Sequence, residues 1–404
     1  MPRNKIIGAV EIGSSKISVL VGEIEGGREL NIIGSAEATS VGVKKGEIVD
    51  LSAVSRCTHA TLIAAEKKAG VQVDEIFLSA SGQHLEGFTN IGTVNVQDAD
   101  NWVSEHDLRC AGQSARQKAL PQGRCYLVHI RGAAYADGRE VENPVGMQAA
   151  KLELKYWNVH ANERRITDMI HIISGYDDGL SVEEIIPASV ASGRIAASDE
   201  ERRAGALVVD IGEGTTDFVL YRKGHIVRTG VIPVGGGHLT NDLSIGLRIN
   251  FKQAERLKLR DGKAVIERGD KDSHVLLEGD LQIGDRPIPR LAIAKILNAR
   301  VAEIFSIMKN RLGSAISPQA VPGGVILTGG TSSLPGIDEV GRDVLGVDTR
   351  VGTHPAWVTR KDLRDPGYAT TLGLLFFGLQ GQSLGERERK AEAPRAGLLR
   401  RLFK

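Results

Sequence analysis

Cysteine is scarce in this chain. Only Cys57, Cys110 and Cys125 occur in 404 residues, with no C-x-x-C spacing, which argues against a disulfide framework or a cysteine-rich metal site and fits a reducing cytoplasm. Aromatic residues make up 4%, and net charge is nearly absent, since 51 Lys plus Arg stand against 50 Asp plus Glu. No whole-chain basic excess draws the protein to nucleic acid, which is not expected as a partner. Long apolar runs are missing as well. Residues 6–10, cut off by Glu11, are too short for the apolar core of a signal peptide, and nothing approaches the roughly 18 apolar residues of a spanning helix. What is present is a globular balance, 41% hydrophobic and 25% charged, which excludes a disordered, collagen-like or coiled-coil chain. At about 100 to 200 residues per domain there is room for two or three domains. The one excess is glycine, whose 48 residues exceed the usual ~7% and invite loops in which a ligand lies close to backbone.

Alternation predicts strands over 5–12 and 16–24 around a turn at Gly13-Ser14-Ser15, and a third over 30–36 after Gly26-Gly27. A helix follows over about 53–69, with Asp50 or Ser52 as N-cap and Gly70 as stop, then a strand over 76–80. Residues 84–162 differ in texture: short alternating runs, one polar helix near 105–118, and turns at Asp137-Gly138 and Asn143-Pro144. They read as an inserted subdomain. A helix over 163–174, a strand over 182–186 and a helix over about 188–197 restore the α/β rhythm. The second half then echoes the first. Glu11-Ile12-Gly13-Ser14-Ser15 before Val19-Leu20-Val21 matches Asp210-Ile211-Gly212-Glu213-Gly214-Thr215-Thr216 before Phe218-Val219-Leu220, allowing a one-residue slip. The period of this repeat is near half the chain. Residues 383–394 are charged and aperiodic, as in a disordered linker.

The strongest chemical signal is the run from Asp210 to Asp217, directly after the apolar residues 206–209. Glycines in a tight turn between strands let backbone N–H groups converge on an anion, with Thr215 and Thr216 adding hydroxyls. Acids at each end suit a hydrated Mg²⁺, which keeps its waters and takes few direct carboxylates. Alone, the run also reads as a glycine-rich hairpin with solvated acids. Beside the Glu11–Lys16 loop it gains meaning, because two facing hairpins can clamp a polyphosphate between domains. Pro233-Val234-Gly235-Gly236-Gly237-His238 precedes a helix expected from Leu239, where N-terminal backbone donors would add a phosphate contact. Glu255 and Lys258, three apart on one helix face, could hold ribose hydroxyls or form a surface ion pair. Gly329, Gly330 and Thr331, after the apolar strand 325–327, would let a flat ring lie against backbone.

Taken in order, these loops resemble the nucleotide-binding segments of the actin, Hsp70 and sugar-kinase superfamily, with connecting helices at about 187–197 and 368–376. Within it the chain is most similar to the bacterial FtsA family. The matching stretches are Glu11-Ile12-Gly13, Asn31-Ile32-Ile33-Gly34, Val41 to Gly46, Ser79-Ala80-Ser81-Gly82, Asn143-Pro144-Val145-Gly146, and Ala254-Glu255 with Lys258. The resemblance implies an α/β protein with the actin-like ATPase fold, two duplicated α/β domains carrying an inserted subdomain 1C in place of 1B. It implies domain 1A at 1–83 and 163–197, 1C at 84–162, 2A at 198–237 and 306–378, 2B at 238–305, a disordered linker at 379–394, and an amphipathic membrane-targeting helix at 395–404. ATP would lie on Gly13, Ser14, Ser15, Lys16, Gly212, Gly214, Thr215, Thr216, Gly235, Gly236, Glu255, Lys258, Gly329, Gly330 and Thr331. Mg²⁺ would be held, mainly through water, by Glu11, Asp210 and Asp217. Partners implied are the C-terminal peptide of FtsZ on 2B, other copies of the chain in a filament, the anionic cytoplasmic membrane surface at the division site, and further division proteins.

Two departures from the family pattern stand out. Glu213 occupies a place often held by glycine and brings negative charge to the second phosphate loop. The segment Ile186-Pro187-Ala188-Ser189-Val190-Ala191 offers no Glu or Gln to orient an attacking water, so hydrolysis is expected to be slow or absent. A pilus scaffold protein of the PilM type and a small-molecule phosphotransferase of the same superfold are the alternatives. The tail favours the first reading. At 100° per residue Leu398, Leu399, Leu402 and Phe403 share an arc of about 140°, with Arg400, Arg401 and Lys404 opposite, the pattern of a membrane-surface helix.

Overall fold

The computed structural model describes residues 5–27, 29–176, 180–277 and 286–380 in full, and the backbone of 381–389. The chain begins as an antiparallel meander, β1 (Lys5–Ile12), β2 (Lys16–Glu25) and β3 (Glu29–Thr39), followed by a small hairpin of β4 (Val43–Lys44) and β5 (Glu47–Ile48). Helix α1 (Leu51–Ala69) starts on Asp50, whose carboxylate accepts from the Ala53 N–H at 3.0 Å, and stops on Gly70 at φ 72°. Only glycine takes that left-handed turn without strain. β6 (Glu75–Ala80) returns parallel to β1.

The 84–162 segment builds a separate four-stranded sheet, ordered β7-β10-β8-β9, from β7 (Glu86–Asn95), β8 (Arg124–Ala136), β9 (Arg139–Val141) and β10 (Lys151–Asn162). One face carries α2 (Glu105–Arg116). Its strands are longer than the short runs expected. Bulges between Leu154 and Tyr156 and between Val159 and His160 reset the alternation, so one continuous strand reads as fragments. The body resumes with α3 (Glu163–Ser174), β11 (Ser181–Pro187), α4 (Ala188–Ala196) and α5 (Asp199–Ala204).

The second half opens with β12 (Ala206–Ile211), β13 (Thr216–Arg222) and β14 (His225–Ile232). Then come α6 (Gly236–Leu247), α7 (Phe251–Asp261), the hairpin of β15 (His274–Leu277) and β16 (Arg286–Pro289), and α8 (Arg290–Leu312). β17 (Val325–Thr328), α9 (Ile337–Leu345), β18 (Thr349–Val351) and α10 (Ala369–Arg389) complete the chain. The two main sheets have the same plan: β3-β2-β1-β6-β11 and β14-β13-β12-β17-β18, each a meander whose first strand also pairs in parallel with a later one. The slip allowed in the repeat is unnecessary. Ile12 pairs with Ile17 and Ile211 with Thr216, leaving four-residue loops in both hairpins, and each loop closes by the same bond, Gly13 N–H to Lys16 O and Gly212 N–H to Thr215 O.

Separate apolar cores lie in each half. Phe218, Leu239, Leu297 and Phe305 centre that of the second, and Val19, Leu62, Ile76 and Ile172 one in the first. Between the halves α4 and α10 pack together so closely that a Cβ on Gly373 would collide with the carbonyl of Ala191. α10 also corrects an expectation. The linker placed at 379–394 is helical as far as Arg389, because Leu, Gln, Glu and Arg in this stretch are good helix formers whose charges alternate in sign. Residues 390–394 and the tail at 395–404 lie outside the described residues.

Candidate functional site

Both loops of the repeat, and the C-terminal ends of β6 and β17, open at one edge, where the halves enclose a cavity of about 560 Å³. Its walls include Glu11, Gly13, Ser14, Ser15 and Lys16 from the first hairpin, and Asp210, Gly212, Glu213, Gly214, Thr215 and Asp217 from the second. Gly236 begins α6 there, Glu255 and Lys258 project from α7, and Gly329, Gly330 and Thr331 follow β17. The loops are in contact. A Cβ on Gly214 would strike the Ser14 hydroxyl and the Lys45 backbone. Lys45 itself holds φ 51°, with Gly46 at φ 74°, the pair of positive angles a tight hairpin turn demands. This turn brings the Gly46 N–H to 3.0 Å from Ser14 Oγ.

Two of the residues expected here lie elsewhere, and others have different work. Thr216 is wholly buried, its hydroxyl donating to Val234 O at 2.8 Å, because the first residue of β13 faces the sheet interior. Gly235 stands outside the cavity walls and donates its N–H to His238 Nδ1. The Gly236 and Gly237 N–H groups, expected to be phosphate donors, instead donate to Gly212 O and Glu213 O at 2.8 Å each. They fix the second hairpin on the start of α6. Lys16 lines the cavity, yet its ammonium rests 2.9 Å from Glu37 Oε2 and over the Tyr368 ring.

Glu11, Asp210 and Asp217 give the site its electrostatics. Burial, then the Asp210 charge, pushes the Glu11 carboxyl up to about 8, with Lys16 opposing. Burial and the Asp210 charge likewise raise Asp217 to about 7, against a hydrogen bond from Ser81. Burial raises Asp210 too, against the Thr370 hydroxyl that donates to its Oδ2 at 3.0 Å. Glu11 Oε2 is buried without a partner. Three crowded carboxyls with an orphaned oxygen fit a cation. Among the described residues no three acids or His or Cys side chains converge closely enough to ligate a metal directly, so the donor set suits an ion that keeps its water shell.

Ser81 and Thr370 were not recognisable as site residues from the sequence. Ser81, just past β6, donates to Asp217 Oδ1 and Oδ2 at 2.9 and 2.8 Å and so joins the first half to the second. The signal for it was positional: a strand parallel to β1 ends at the same edge, where ligands of open α/β sheets collect. Thr370 sits at the start of α10, one turn from the 365–367 loop that completes the wall.

The second half matches the family described as Cell division protein FtsA over residues 207–373, and residues 82–160 match the SHS2 domain inserted in FtsA. The cell division protein FtsA of Bacillus subtilis (strain 168) is 30% identical over 393 residues, covering 95% of this chain and 87% of that one. The chain belongs to the FtsA family. Its fold is the actin-like ATPase fold with the inserted subdomain of FtsA. Solved structures with this fold include the PilM-PilN type IV pilus biogenesis complex, 17% identical with a TM-score of 0.63 over 93% of this chain and 98% of that one. Another is MreB5 of Spiroplasma citri bound to ADP, 16% identical with a TM-score of 0.55 over 95% and 98%. At such identities the likeness is one of fold. As an FtsA, the chain is a division protein, and no described helix is long and apolar enough to cross a membrane.

Proposed function

We propose that this protein binds Mg-ATP in the cleft between its duplicated halves. As a self-assembling polymer on the cytoplasmic face of the membrane at the division site, it tethers FtsZ filaments and meets further division proteins there. The observation that carries the nucleotide reading is the convergence of two glycine loops and three raised carboxyls in one cavity. Glu11, Asp210 and Asp217 would hold the water shell of Mg²⁺, the two hairpins the phosphates, and Glu255, Lys258, Gly329, Gly330 and Thr331 the adenosine. The ADP bound by MreB5, a protein of the same fold, is in keeping with this. When bound, ATP with its metal supplies a polyanion and a divalent charge that draw the two halves together.

Turnover is slow in this reading. The start of α4 presents Ala188 to the cavity, a side chain that cannot orient water. We assign the FtsZ peptide to residues 238–305 and membrane attachment to Leu398, Leu399, Leu402 and Phe403 with Arg400, Arg401 and Lys404. The domain limits stay as the sequence suggests, apart from the helical extension of α10. Equilibrium dialysis with ATP and Mg²⁺ tests the first part: saturable binding is expected, and turnover of tens per second would show that a water-orienting group had been overlooked. Fluorescence anisotropy with a labelled FtsZ C-terminal peptide tests the second, and an absence of binding there would sink the tethering role.

A further inference from the structure

A smaller cavity, of about 170 Å³, lies where the inserted subdomain meets both halves. Helix α4 runs between the two cavities, presenting Ala188 to the cleft and Arg194 to the smaller one. Arg131 reaches it from β8, Arg202 from α5, Tyr221 from β13 and His225 from β14. Every polar side chain in this wall can donate a hydrogen bond, and no carboxylate stands among them.

These donors are only partly used within the protein. Tyr221 is 4% exposed, and its phenol makes no hydrogen bond among the described residues. Burial raises that phenol, against the Arg194 charge, so it stays a hydroxyl and a donor. Arg131 makes no ion pair among the described residues, although its charge reaches His225. Arg202, 7% exposed, donates to Arg194 O at 3.2 Å, to Ala197 O and to the Asp199 carboxylate. Arg194 donates to the same carboxylate at 2.8 Å and stacks over the Phe376 ring. Three guanidiniums thus share one carboxylate, which leaves two positive charges around the cavity. The acids on the β9 side do not cancel them, since Glu140 pairs with Lys223 at 2.8 Å and Glu142 is exposed outside the wall.

Two surplus charges and a buried hydroxyl without a partner call for an anion. A carboxylate brings one charge and two oxygens, whereas the phosphate of a monoester brings close to two charges and three strong acceptors. The second matches guanidiniums and a phenol arriving from several elements. Val190, Ile226 and Phe377 supply apolar wall for the organic body of the ester.

We propose that this cavity binds a small phosphate monoester, held by Arg131, Arg194 and Tyr221, with Arg202 fixed beside them. Bound there, the phosphate joins β8 of the inserted subdomain to α4 of the first half and β13 of the second, and so fastens the subdomain to the body. The site is separate from the nucleotide cleft and does not rest on the nucleotide reading.

The test is isothermal titration calorimetry of the full-length protein with phenyl phosphate, inorganic phosphate and dimethyl phosphate, with ADP and Mg²⁺ in excess so that the cleft does not contribute. The wild type should bind one equivalent of phenyl phosphate. Inorganic phosphate should bind more weakly, because it leaves the apolar wall uncovered, and tighter binding of the bare ion would overturn the ester. Dimethyl phosphate, a singly charged diester like the linkage in a phospholipid headgroup, should bind at least tenfold more weakly than phenyl phosphate. Equal binding of the diester would point to a lipid headgroup and overturn the monoester. R131Q and Y221F each remove a donor at a position where the fold loses no hydrogen bond, so neither should lower the melting temperature or weaken ATP binding. Each should weaken phenyl phosphate by about tenfold to a hundredfold, the worth of a hydrogen bond to a charged group. Unchanged affinity in either variant, or no binding by the wild type at millimolar phenyl phosphate, overturns the proposal.

Discussion

Without a cation, Glu11, Asp210 and Asp217 cannot all be ionised near neutral pH, since burial and mutual repulsion hold Glu11 at about 8 and Asp217 at about 7. The sign of the consequence follows from linkage. A carboxyl raised on folding is costless below its unfolded value and penalises the fold increasingly up to its folded value, so Glu11 costs stability from about pH 4.5 to 8. In EDTA, the wild type should lose a few degrees of Tm relative to E11Q between pH 6 and 8, and a flat difference across that range would refute the assignment. A bound cation reverses the preference by favouring ionised carboxylates, so Mg-ATP binding should tighten as pH rises and release protons near pH 7. Calorimetry in buffers of different ionisation enthalpy reads that release. D210A should raise the melting temperature of the nucleotide-free protein by removing repulsion, yet weaken ATP binding in Mg²⁺ by about 10- to 100-fold, as for other groups that support a metal's outer shell. Unchanged affinity would displace Asp210 from the metal's side of the site. These acids were legible because acid-Ile-Gly after an apolar strand occurs twice, at Glu11 and Asp210. Ser81 and Thr370 were not, since a lone hydroxyl acquires meaning only when the fold sets it 2.8 to 3.0 Å from a carboxylate.

Helices α4 and α10 join the two halves, and their separation is set by one absent methyl group. A Cβ on Gly373 would meet the carbonyl of Ala191, so G373A must either bend α10 or push the helices apart. Overpacking of this kind costs about 1 to 3 kcal/mol, which chemical denaturation should register. Because the same helices bound the cleft, ATP should stabilise G373A less than the wild type. Equal nucleotide stabilisation in both proteins would mean that the helix pair does not set the cleft. Local signals marked these elements well: the Asp50 cap and the Gly70 stop define α1, and Asp137 and Gly138, at φ 46° and 79°, form the expected turn between β8 and β9. Signals failed where tertiary structure reset the pattern. The bulges of β10 broke its alternation, and the glycine donors in the first turn of α6 turned inward to Gly212 and Glu213 because the second hairpin sits on that helix.

The course of α10 changes the picture of how the whole protein would meet a membrane. As a flexible chain, residues 381–394 would span about 20 Å. With the helix running to Arg389, residues 381–389 instead project the chain stiffly by about 1.5 Å per residue. As a membrane-surface helix, the form proposed for it above, one tail would bury four large apolar side chains at the interface. Full burial is worth roughly 1.5 to 3 kcal/mol each and interfacial burial about half that, while each basic residue near an anionic surface adds about 1 kcal/mol. Ordering the helix offsets much of this, so a single copy should bind weakly and reversibly, and assembly should raise retention by presenting many tails together. Removal of residues 395–404, or L399E with F403E, should release the protein from phosphatidylglycerol-containing vesicles in sedimentation while leaving ATP binding intact. Inserting two glycines after Arg389 probes the stiff projection separately: vesicle binding by the tail should persist, because the glycines leave its apolar face unchanged. If the truncated protein still pelleted with the vesicles, the anchor would lie in the folded body and the tail would need another role.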